Sequence, residues 1–395
     1  MSMPPPRLRA LFLIALMIGL VVGARAIRAD VGTCNGVSIT LPFTDVQTSN
    51  IFFCSIAEAY FSGLTNGTSA TTYNPSDPVP REQMAAFITR TLDQSLKRGS
   101  RRAALNQWWN PISLAAIHAI SLSPTASPEF IVCDGHDLWV SDISGNVFRV
   151  QASDNKLLGT WTGATGARGI IAANGRIFIA SVQGKIYAID PDSSPAPVEL
   201  LEDSIGVGCY GITFDGANLW TANSTSGSIS RVHAVTAVDS TFTGFNSPVH
   251  ILWDGANLWV SDTQLKRVDP TSGSILETVP FNAAGFLQFD GSNLWVTSYI
   301  DNSVTVVRAV GAFRGTVLAT LTGNGVHHPY GIAFDGERIL VCNNGGTDTV
   351  SLFNATDFSP LGIVSVGFGA DPYAACSDGM NFWIVRSSKH DIVRY

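Results

Sequence analysis

The sequence has few charged residues, no closely spaced cysteines and no basic stripe. Only 14% of its 395 residues are charged and the net charge is −7, which argues against a nucleic-acid partner because little is present to neutralise phosphates. The six cysteines form no Cys-x-x-Cys pair, so a zinc or redox motif is unsupported. No phosphate loop, dinucleotide fingerprint or Gly-x-Ser-x-Gly elbow occurs. We therefore expect no cofactor and no metal.

One long apolar run is present, from Ala10 to Ala24, after Arg7 and Arg9. It is shorter than the roughly 20 residues of a membrane span but fits the central region of a secretory signal, and Ala24-Arg25-Ala26 offers a cleavage site. We expect residues 1–29 to be a signal peptide and the protein to be secreted or held at the cell envelope. An uncleaved anchor is the alternative. No later stretch reaches 18 apolar residues, so we expect no transmembrane span in the mature chain.

Export changes the interpretation of the cysteines. Cys34 and Cys54 are close enough in sequence to form a local disulfide in an oxidising compartment. Two buried thiols are the alternative. The other four cysteines lie in predicted strands and are interpreted as small core residues.

Residues 34–98 predict a small helical module, followed by a linker over 99–110. Apolar residues at helical spacing predict one helix over about 51–62, and a second helix starts after Pro80. A Gly-, Asn- and Pro-rich loop separates the two helices. So short a segment builds only a marginal core, which a disulfide would support.

This module resembles the S-layer homology (SLH) module. The matching positions are Phe43-x-Asp45-Val46, Ile56-Ala57, Gly63-Leu64-x-x-Gly67, Tyr73-x-Pro75, Val79-Pro80-Arg81-Glu82-Gln83, Phe87 and Arg90. The resemblance implies attachment to cell-wall polysaccharide or a surface protein, with Arg81 as a charged contact and Asp45 nearby. SLH modules often occur in threes, whereas one copy is visible in this chain. The alternative is a solvated Arg81 at the start of a structural helix.

A seven-fold repeat organises the rest of the chain. Each copy has an apolar strand, an Asp-Gly or Asn-Gly turn and a second apolar strand, as in WDGANLWVSD at 253–262. The turn glycines are 36 to 45 residues apart, at Gly135, Gly175, Gly216, Gly255, Gly291, Gly336 and Gly379. Asp-Gly between apolar runs favours a hairpin, and four strands in about 40 residues are typical of a propeller blade. The fold class predicted is mostly β: a seven-bladed β-propeller over 111–395 after a small N-terminal α-helical module.

The two ends of the repeat region predict how the propeller closes. The last copy stops at its third strand, Asp391–Tyr395, whereas Leu114–Leu122 is an extra strand ahead of the first copy. We expect 114–122 to supply the outer strand of the seventh blade, because closure removes exposed sheet edges.

The repeats resemble the YVTN/YncE-like propellers of bacteria. WVSD at 139–142 and WTAN at 220–223 occupy the place of the Tyr-Val-Thr-Asn of that family. A more distant similarity is to the propeller of virginiamycin B lyase, which would need a glutamate and a histidine on one inner strand. No Glu-x-His occurs in the repeats. The resemblance implies the fold and says little about function.

The starts of the inner strands and the loops between second and third strands should surround the central channel. Five residues before the turn Asp or Asn, the seven repeats carry Glu129, Gly169, Tyr210, Val249, Gly285, Tyr330 and Tyr373. From these and the nearby loops we predict a ligand-binding mouth formed by Tyr210, His250, His328, Tyr330, Tyr373, Asp142, Asp262 and Arg386. The alternative is that the tyrosines fill the channel and the polar loop residues cap strands.

The leading functional hypothesis is an exported, non-catalytic protein. Its module would attach to the wall or surface, and its propeller would bind a protein or glycan. A second hypothesis is a lyase or hydrolase acting at the mouth around His250, His327 and His328. A third is a structural subunit of a surface assembly.

Overall fold

The computed structural model describes residues 31–34, 37–61, 65–81, 83–85, 87, 118–152, 155–237, 239–280 and 284–395. The chain divides into two compact units, Met1–Gln94 and Ser95–Tyr395. The expected signal peptide 1–29 and linker 99–110 lie outside the described residues. Within the described ranges, no helix is long and apolar enough to cross a membrane.

The smaller unit contains a hairpin and a helix joined by a disulfide. Strand β1 (Val31–Cys34) pairs antiparallel with β2 (Val37–Thr40), and helix α1 spans Phe53–Phe61. The disulfide between Cys34 and Cys54 is confirmed, with 5.6 Å between the two Cα atoms. The hairpin was not predicted, although an Asn-Gly pair at positions 35–36 of the sequence is a strong hairpin signal. The bond therefore links the hairpin to the first turns of the helix.

Helix α1 buries one face and exposes the other. Phe53, Ile56 and Ala57 are buried with Phe43, whereas Ser55 is exposed. This spacing is the amphipathic pattern expected of a surface helix. Of the second predicted helix, residues 81, 83–85 and 87 are helical, and its other residues lie outside the described part.

The larger unit consists of seven four-stranded antiparallel sheets, each called a blade and numbered along the chain. Blades 1 and 2 are β4 (Pro128–Cys133), β5 (Asp137–Asp142), β6 (Asn146–Gln151), β7 (Lys156–Thr162), and β8 (Ala167–Ala173), β9 (Arg176–Ser181), β10 (Lys185–Ile189), β11 (Glu199–Glu202). Blades 3 and 4 are β12 (Cys209–Phe214), β13 (Asn218–Asn223), β14 (Ser228–His233), β15 (Asp239–Thr243), and β16 (His250–Trp253), β17 (Leu258–Ser261), β18 (Leu265–Val268), β19 (Ile275–Val279). Blades 5 and 6 are β20 (Ala284–Phe289), β21 (Asn293–Ser298), β22 (Ser303–Arg308), β23 (Val317–Leu321), and β24 (Pro329–Phe334), β25 (Arg338–Asn343), β26 (Thr349–Asn354), β27 (Pro360–Ser365). Blade 7 is β28 (Pro372–Ser377), β29 (Phe382–Arg386), β30 (Asp391–Arg394) and β3 (His118–Ser121), with a 3-10 helix at Ser387–Lys389.

The first strands of the blades form the inner wall of a closed ring. Each first strand contacts the first strand of the next blade, and β28 of the last blade contacts β4 of the first. The neighbouring inner strands approach so closely at Gly331 that an added Cβ would lie 2.5 Å from the Ala374 Cα and the Tyr373 oxygen. The predicted seven-bladed β-propeller is confirmed, and its inner strands surround a central channel.

Strand β3 completes the seventh blade. It pairs antiparallel with β30, with His118 opposite Arg394, so the fourth strand of the last sheet comes from the chain ahead of the first sheet. Ile120 is 7% exposed and lies in a core cluster that includes residues of blades 1 and 7. A further link is the bond from the Ser387 hydroxyl to the Pro128 carbonyl, at 2.8 Å. The ring is thus held closed by a four-residue strand and the contacts around it.

A hydrogen bond between the turn aspartate and a buried tryptophan recurs in five blades. The indole nitrogen donates to the aspartate Oδ2 at 2.7–2.8 Å in the pairs Asp134–Trp139, Asp215–Trp220, Asp254–Trp259, Asp290–Trp295 and Asp378–Trp383. In each turn the other carboxylate oxygen accepts backbone N–H groups, as Asp254 does from Ala256 and Asn257. All five tryptophans are fully buried. The aspartate therefore stabilises the hairpin turn. It also accepts a hydrogen bond from the indole N–H, the only polar group of the buried tryptophan side chain.

Candidate ligand-binding site

Six of the seven inner strands carry a β-bulge near their starts. The pairing register shifts between Pro128 and Phe130 in blade 1, for example, and at the corresponding points of blades 2, 3, 5, 6 and 7. A bulge inserts one extra residue and changes the direction of its side chain. The alternation of side chains between the two faces of the strand therefore does not continue unchanged across the bulge.

Seven side chains at this level, one from each blade, form what we call the channel ring: Glu129, Arg168, Tyr210, His250, Phe286, Tyr330 and Tyr373. Six of them lie within the bulges, and His250 lies in the regularly paired strand of blade 4. Contacts across the ring show that they meet at the channel. Arg168 of blade 2 donates to the Tyr373 hydroxyl of blade 7 at 3.0 Å.

The polar half of the channel ring is centred on Arg168. Its Nη1 lies 2.5 Å from Glu129 Oε2, an ion pair whose atoms are not aligned as a hydrogen bond. The guanidinium carbon lies 4.3 Å from the centre of the Tyr210 ring, a cation–π contact. The Tyr373 hydroxyl in turn donates to the Tyr330 hydroxyl at 3.2 Å. Arg168 of blade 2 thus connects, directly or through Tyr373, an acid and three tyrosines from four other blades.

The apolar half of the channel ring is centred on Phe286. Its ring centre lies 5.5 Å from Phe130, 4.7 Å from Tyr330 and 5.2 Å from His250. Phe130 and Phe286 belong to blades 1 and 5, so the rings meet across the channel. At this level the aromatic side chains fill part of the channel and form a floor.

Two buried nitrogen atoms of the channel ring have no hydrogen-bond partner among the described residues. They are Nε of Arg168 and Nδ1 of His250. A buried polar atom without a partner costs about 1–3 kcal/mol, so most buried polar atoms in folded proteins are paired with protein, ordered water or a ligand. The channel ring therefore has unused hydrogen-bonding capacity.

Burial shifts the ionisation of the channel ring. It raises the pKa of Glu129 to about 7 even though Arg168 lowers it, and Asp142 raises it further. It also lowers the pKa of His250 to about 4, so this imidazole is neutral at pH 7. Burial raises the pKa of Tyr373 above its ordinary value. Although burial opposes its charge, Arg168 has a raised pKa because of Glu129 and the neighbouring tyrosines. At pH 7 the one permanent charge of the ring is therefore the arginine.

The rim above the channel ring contains a stacked pair of aromatic side chains. The rings of Tyr299 and His328 lie 4.4 Å apart and nearly parallel, and Tyr299 is 42% exposed. Tyr299 also contacts Tyr330 of the channel ring at 6.2 Å. His327 lies beside His328, with 4.3 Å between the ring centres. This pair gives the channel ring an aromatic edge.

Three predicted mouth residues are engaged in local structure. The Asp142 carboxylate accepts from the backbone of Ser127 and Ser144, and Asp262 accepts from Lys266 at 2.7 Å. Arg386 donates twice to Asp391. These side chains hold loops at the ends of the blades, whereas Tyr210, His250, Tyr330 and Tyr373 lie together in the channel ring. Among Asp142, Asp262 and Arg386, Asp142 acts on the channel ring, because its negative charge raises the pKa of Glu129.

In the smaller unit, Asp45 and Arg81 do not form a common site with each other in the described contacts. Asp45 accepts from the backbone N–H groups of Tyr73 and Asn74 at 2.7–3.0 Å and so holds the loop. Arg81 is exposed. A groove of about 510 Å³ lies beside that loop, lined by Asn50, Ile51, Phe52, Ser55, Ile56, Tyr73, Pro75 and Ser76.

The predicted mouth did not include Glu129 and Arg168, the charged pair of the channel ring. Counting back from the turn reached Glu129 but, in blade 2, stopped one residue past Arg168, at Gly169. The count also reached Val249 and Gly285, where the structure places His250 and Phe286 in the ring. In blade 2, Ala173 pairs with Arg176, so Asn174 lies one residue further along the turn than the aspartates of the other blades, and the count from it stops short of Arg168. In blades 4 and 5 the ring side chain is the residue after the counted one, so only the contacts in the structure identify it.

Comparison with known proteins defines the fold and no more. The chain matches no known protein family. It is 35% identical over 77 residues to an endoglucanase of Bacillus sp. (strain KSM-635), a match that covers 20% of this chain and 8% of the endoglucanase. The WD40 β-propeller domain of Doa1 is similar in structure, with a TM-score of 0.58, 12% identity, and coverage of 71% of this chain and 96% of that one. The chain thus carries a β-propeller of seven blades.

Within the described residues, no group of three or more His, Cys, Asp or Glu side chains is arranged to hold a metal ion.

Proposed function

We propose that this protein is an exported, non-catalytic binding protein of the cell envelope or extracellular space. The propeller binds a polar ligand in the channel ring, and the smaller unit attaches the protein to the wall or to a surface protein. The observation that carries the proposal is the Glu129–Arg168 pair, set among tyrosines with an unpartnered Arg168 Nε and His250 Nδ1. Sites that bind small ligands are lined mostly by aromatic or apolar side chains with a few converging polar groups, and the channel ring has side chains of both kinds.

Attachment is supported by the smaller unit. Its disulfide is typical of an exported protein, and its Arg81 and the groove beside Tyr73 are exposed to a partner. The resemblance to SLH modules names wall polysaccharide as that partner. The apolar lining of the groove, with Ile51 78% exposed, also fits a surface protein.

Binding in the propeller is tested by calorimetric titration of the mature protein with a panel of monosaccharides. We expect at least one saccharide to bind, and the Arg168→Gln variant to bind it at least tenfold more weakly. Arg267→Gln is the matched control. Arg267 lies on β18, the third strand of blade 4, and pairs with Glu277 outside the channel ring. An unchanged affinity in Arg168→Gln, or a panel without any binding, would contradict the proposal.

Attachment is tested separately by sedimentation of the mature protein with purified cell-wall sacculi. We expect retention of the wild type and reduced retention of Arg81→Ala. If the folded protein sediments with sacculi no more than a non-binding control protein does, the wall is not its partner.

Acid–base catalysis is the second candidate, favoured by the pKa of Glu129, which is about 7. A carboxyl group with that pKa can both accept and donate a proton near neutral pH. If the channel ring is catalytic, Glu129→Gln should abolish turnover of a bound ligand without abolishing its binding. Absence of any product after prolonged incubation of a bound ligand would rule this candidate out.

A further inference from the structure

We infer that the channel ring binds an acidic saccharide, whose carboxylate replaces Glu129 as the partner of Arg168. This inference rests on the binding function proposed above and adds the chemical class of the ligand. The geometry supplies three parts of such a site: a positioned guanidinium, an acid that can give up its charge, and partly exposed aromatic rings.

The guanidinium is positioned before any ligand arrives. Tyr373 accepts from Nη1 and the Tyr210 ring supports the flat face, so the orientation of Arg168 does not depend on Glu129 alone. Nε of Arg168 has no partner among the described residues. Because guanidinium N–H groups match the two oxygens of a carboxylate, a carboxylate is the group that best uses this unfilled donor.

Glu129 can leave the ion pair by taking up a proton. The charged and titratable groups that act on it are Arg168, Asp142, Tyr330 and Tyr373. Asp142 repels its negative charge, and both tyrosines are neutral near pH 7. When Glu129 is protonated, the charge of Arg168 has no anionic partner in the ring, because Glu129 is the only carboxylate among the seven ring residues. An anion that enters then restores the neutrality of a mostly buried site.

The aromatic groups favour a saccharide as the carrier of that carboxylate. Tyr210, Tyr330 and Tyr373 are half-buried, and Tyr299 at the rim is 42% exposed, so ring faces and hydroxyl groups are within reach of a ligand. The apolar face of a pyranose packs against an aromatic ring, and its hydroxyl groups can pair with phenols and with Nδ1 of His250. A bare carboxylate would use only Arg168.

Coupling to Glu129 gives the inference a measurable signature. With a pKa of about 7, Glu129 is protonated to about 90% at pH 6 and to about 10% at pH 8. If the carboxylate binds only when Glu129 is protonated, its affinity is about tenfold higher at pH 6 than at pH 8. Binding at pH 8 should also take up nearly one proton. The ligand carboxylate itself stays ionised over this range.

The test is calorimetric titration of the mature protein with D-glucuronate, D-glucose and acetate at pH 6 and pH 8. For the wild type we expect D-glucuronate to bind about tenfold more tightly at pH 6, and more tightly than either other probe. Glu129→Gln should bind it equally at both pH values, as tightly as the wild type at pH 6. The control Glu277→Gln, which alters a glutamate–arginine pair outside the ring, should behave as the wild type does. Titrations in two buffers of different ionisation enthalpy measure the proton uptake.

The outcomes separate this inference from the function on which it rests. If D-glucose binds as tightly as D-glucuronate and Arg168→Gln weakens both, saccharide binding stands and the acidic ligand is wrong. Acetate binding as tightly as D-glucuronate would contradict the saccharide. An unchanged affinity for D-glucuronate between pH 6 and pH 8, or a pH dependence that persists in Glu129→Gln, would overturn the exchange with Glu129. If none of the three probes binds at either pH, the acidic saccharide is overturned, and the monosaccharide panel decides the proposed function.

Discussion

The recurring bond between the turn aspartate and the buried indole makes a quantitative prediction in blade 4. Asp254→Ala removes the acceptor of the Trp259 indole N–H and of two backbone N–H groups, those of Ala256 and Asn257. Trp259 is fully buried, so its N–H would be left without a partner, at a cost of about 1–3 kcal/mol. Asn257 is 8% exposed, whereas Ala256 is exposed and water can replace its bond. We therefore expect the free energy of unfolding to fall by about 2–4 kcal/mol.

The assay is urea unfolding of the propeller, followed by tryptophan fluorescence, for Asp254→Ala and Asp254→Asn. Asparagine has one acceptor oxygen, which can serve either the indole N–H or the two backbone N–H groups, and it carries no charge. We therefore expect Asp254→Asn to lower the free energy of unfolding by less, about 1 kcal/mol. Hydrogen exchange at the Trp259 indole reports the bond itself and should be faster in Asp254→Ala. The exposed Asp203→Ala is the control and should change stability by no more than about 0.5 kcal/mol. Equal stability of Asp254→Ala and the control, with unchanged indole exchange, would refute the reasoning.

Three further changes test other parts of the molecule. Replacing Cys34 and Cys54 by serine should lower the free energy of unfolding of the smaller unit by about 3 kcal/mol and leave the unfolding temperature of the propeller unchanged. A calorimetric scan in which both unfolding transitions shift would contradict this prediction. Wild-type stability should fall as pH rises from about 4.5 to about 7, because the folded state holds the Glu129 proton longer than the unfolded chain does. The loss is at most about 3 kcal/mol and should be missing in Glu129→Gln; parallel pH–stability curves for the two proteins would contradict it. Ile120→Ala should cost about 2–4 kcal/mol and favour oligomers in size-exclusion chromatography, since it weakens the closing strand; a monomer of unchanged stability would count against that role.

The fold was predictable because each repeat contains a turn motif between apolar runs, and this local pattern by itself favours a hairpin. Asp-Gly turns with glycine at positive φ, such as Gly255 at 97°, force a hairpin wherever they occur between apolar runs. The bond from the turn aspartate to an indole five residues on, which occurs in five blades, was not predicted, although both residues belong to the repeat. Turn chemistry alone accounts for the aspartate, so the second role becomes visible only when the tryptophan is placed in the core.

The candidate site was predictable only in part, because it depends on bulges and on contacts between distant parts of the chain. Tyr210, His250, Tyr330 and Tyr373 were predicted from their position in the repeat, and they lie together in the channel ring. Arg168 escaped the count because Ala173 pairs with Arg176 in blade 2, which places Asn174 one residue later in the turn than the aspartates of the other blades. Its partner Tyr373 is 205 residues away, and no local pattern links the two. The burial that raises the pKa of a glutamate is likewise a property of the assembled ring.

The most direct test of the proposed site is a crystal structure of the protein grown at pH 6 and soaked with D-glucuronate. The proposed mechanism predicts density for a carboxylate within hydrogen-bond distance of Arg168, a sugar ring against the tyrosines, and Glu129 withdrawn from the guanidinium. An empty channel ring with the Glu129–Arg168 pair intact, at a ligand concentration that saturates the protein in solution, would contradict it.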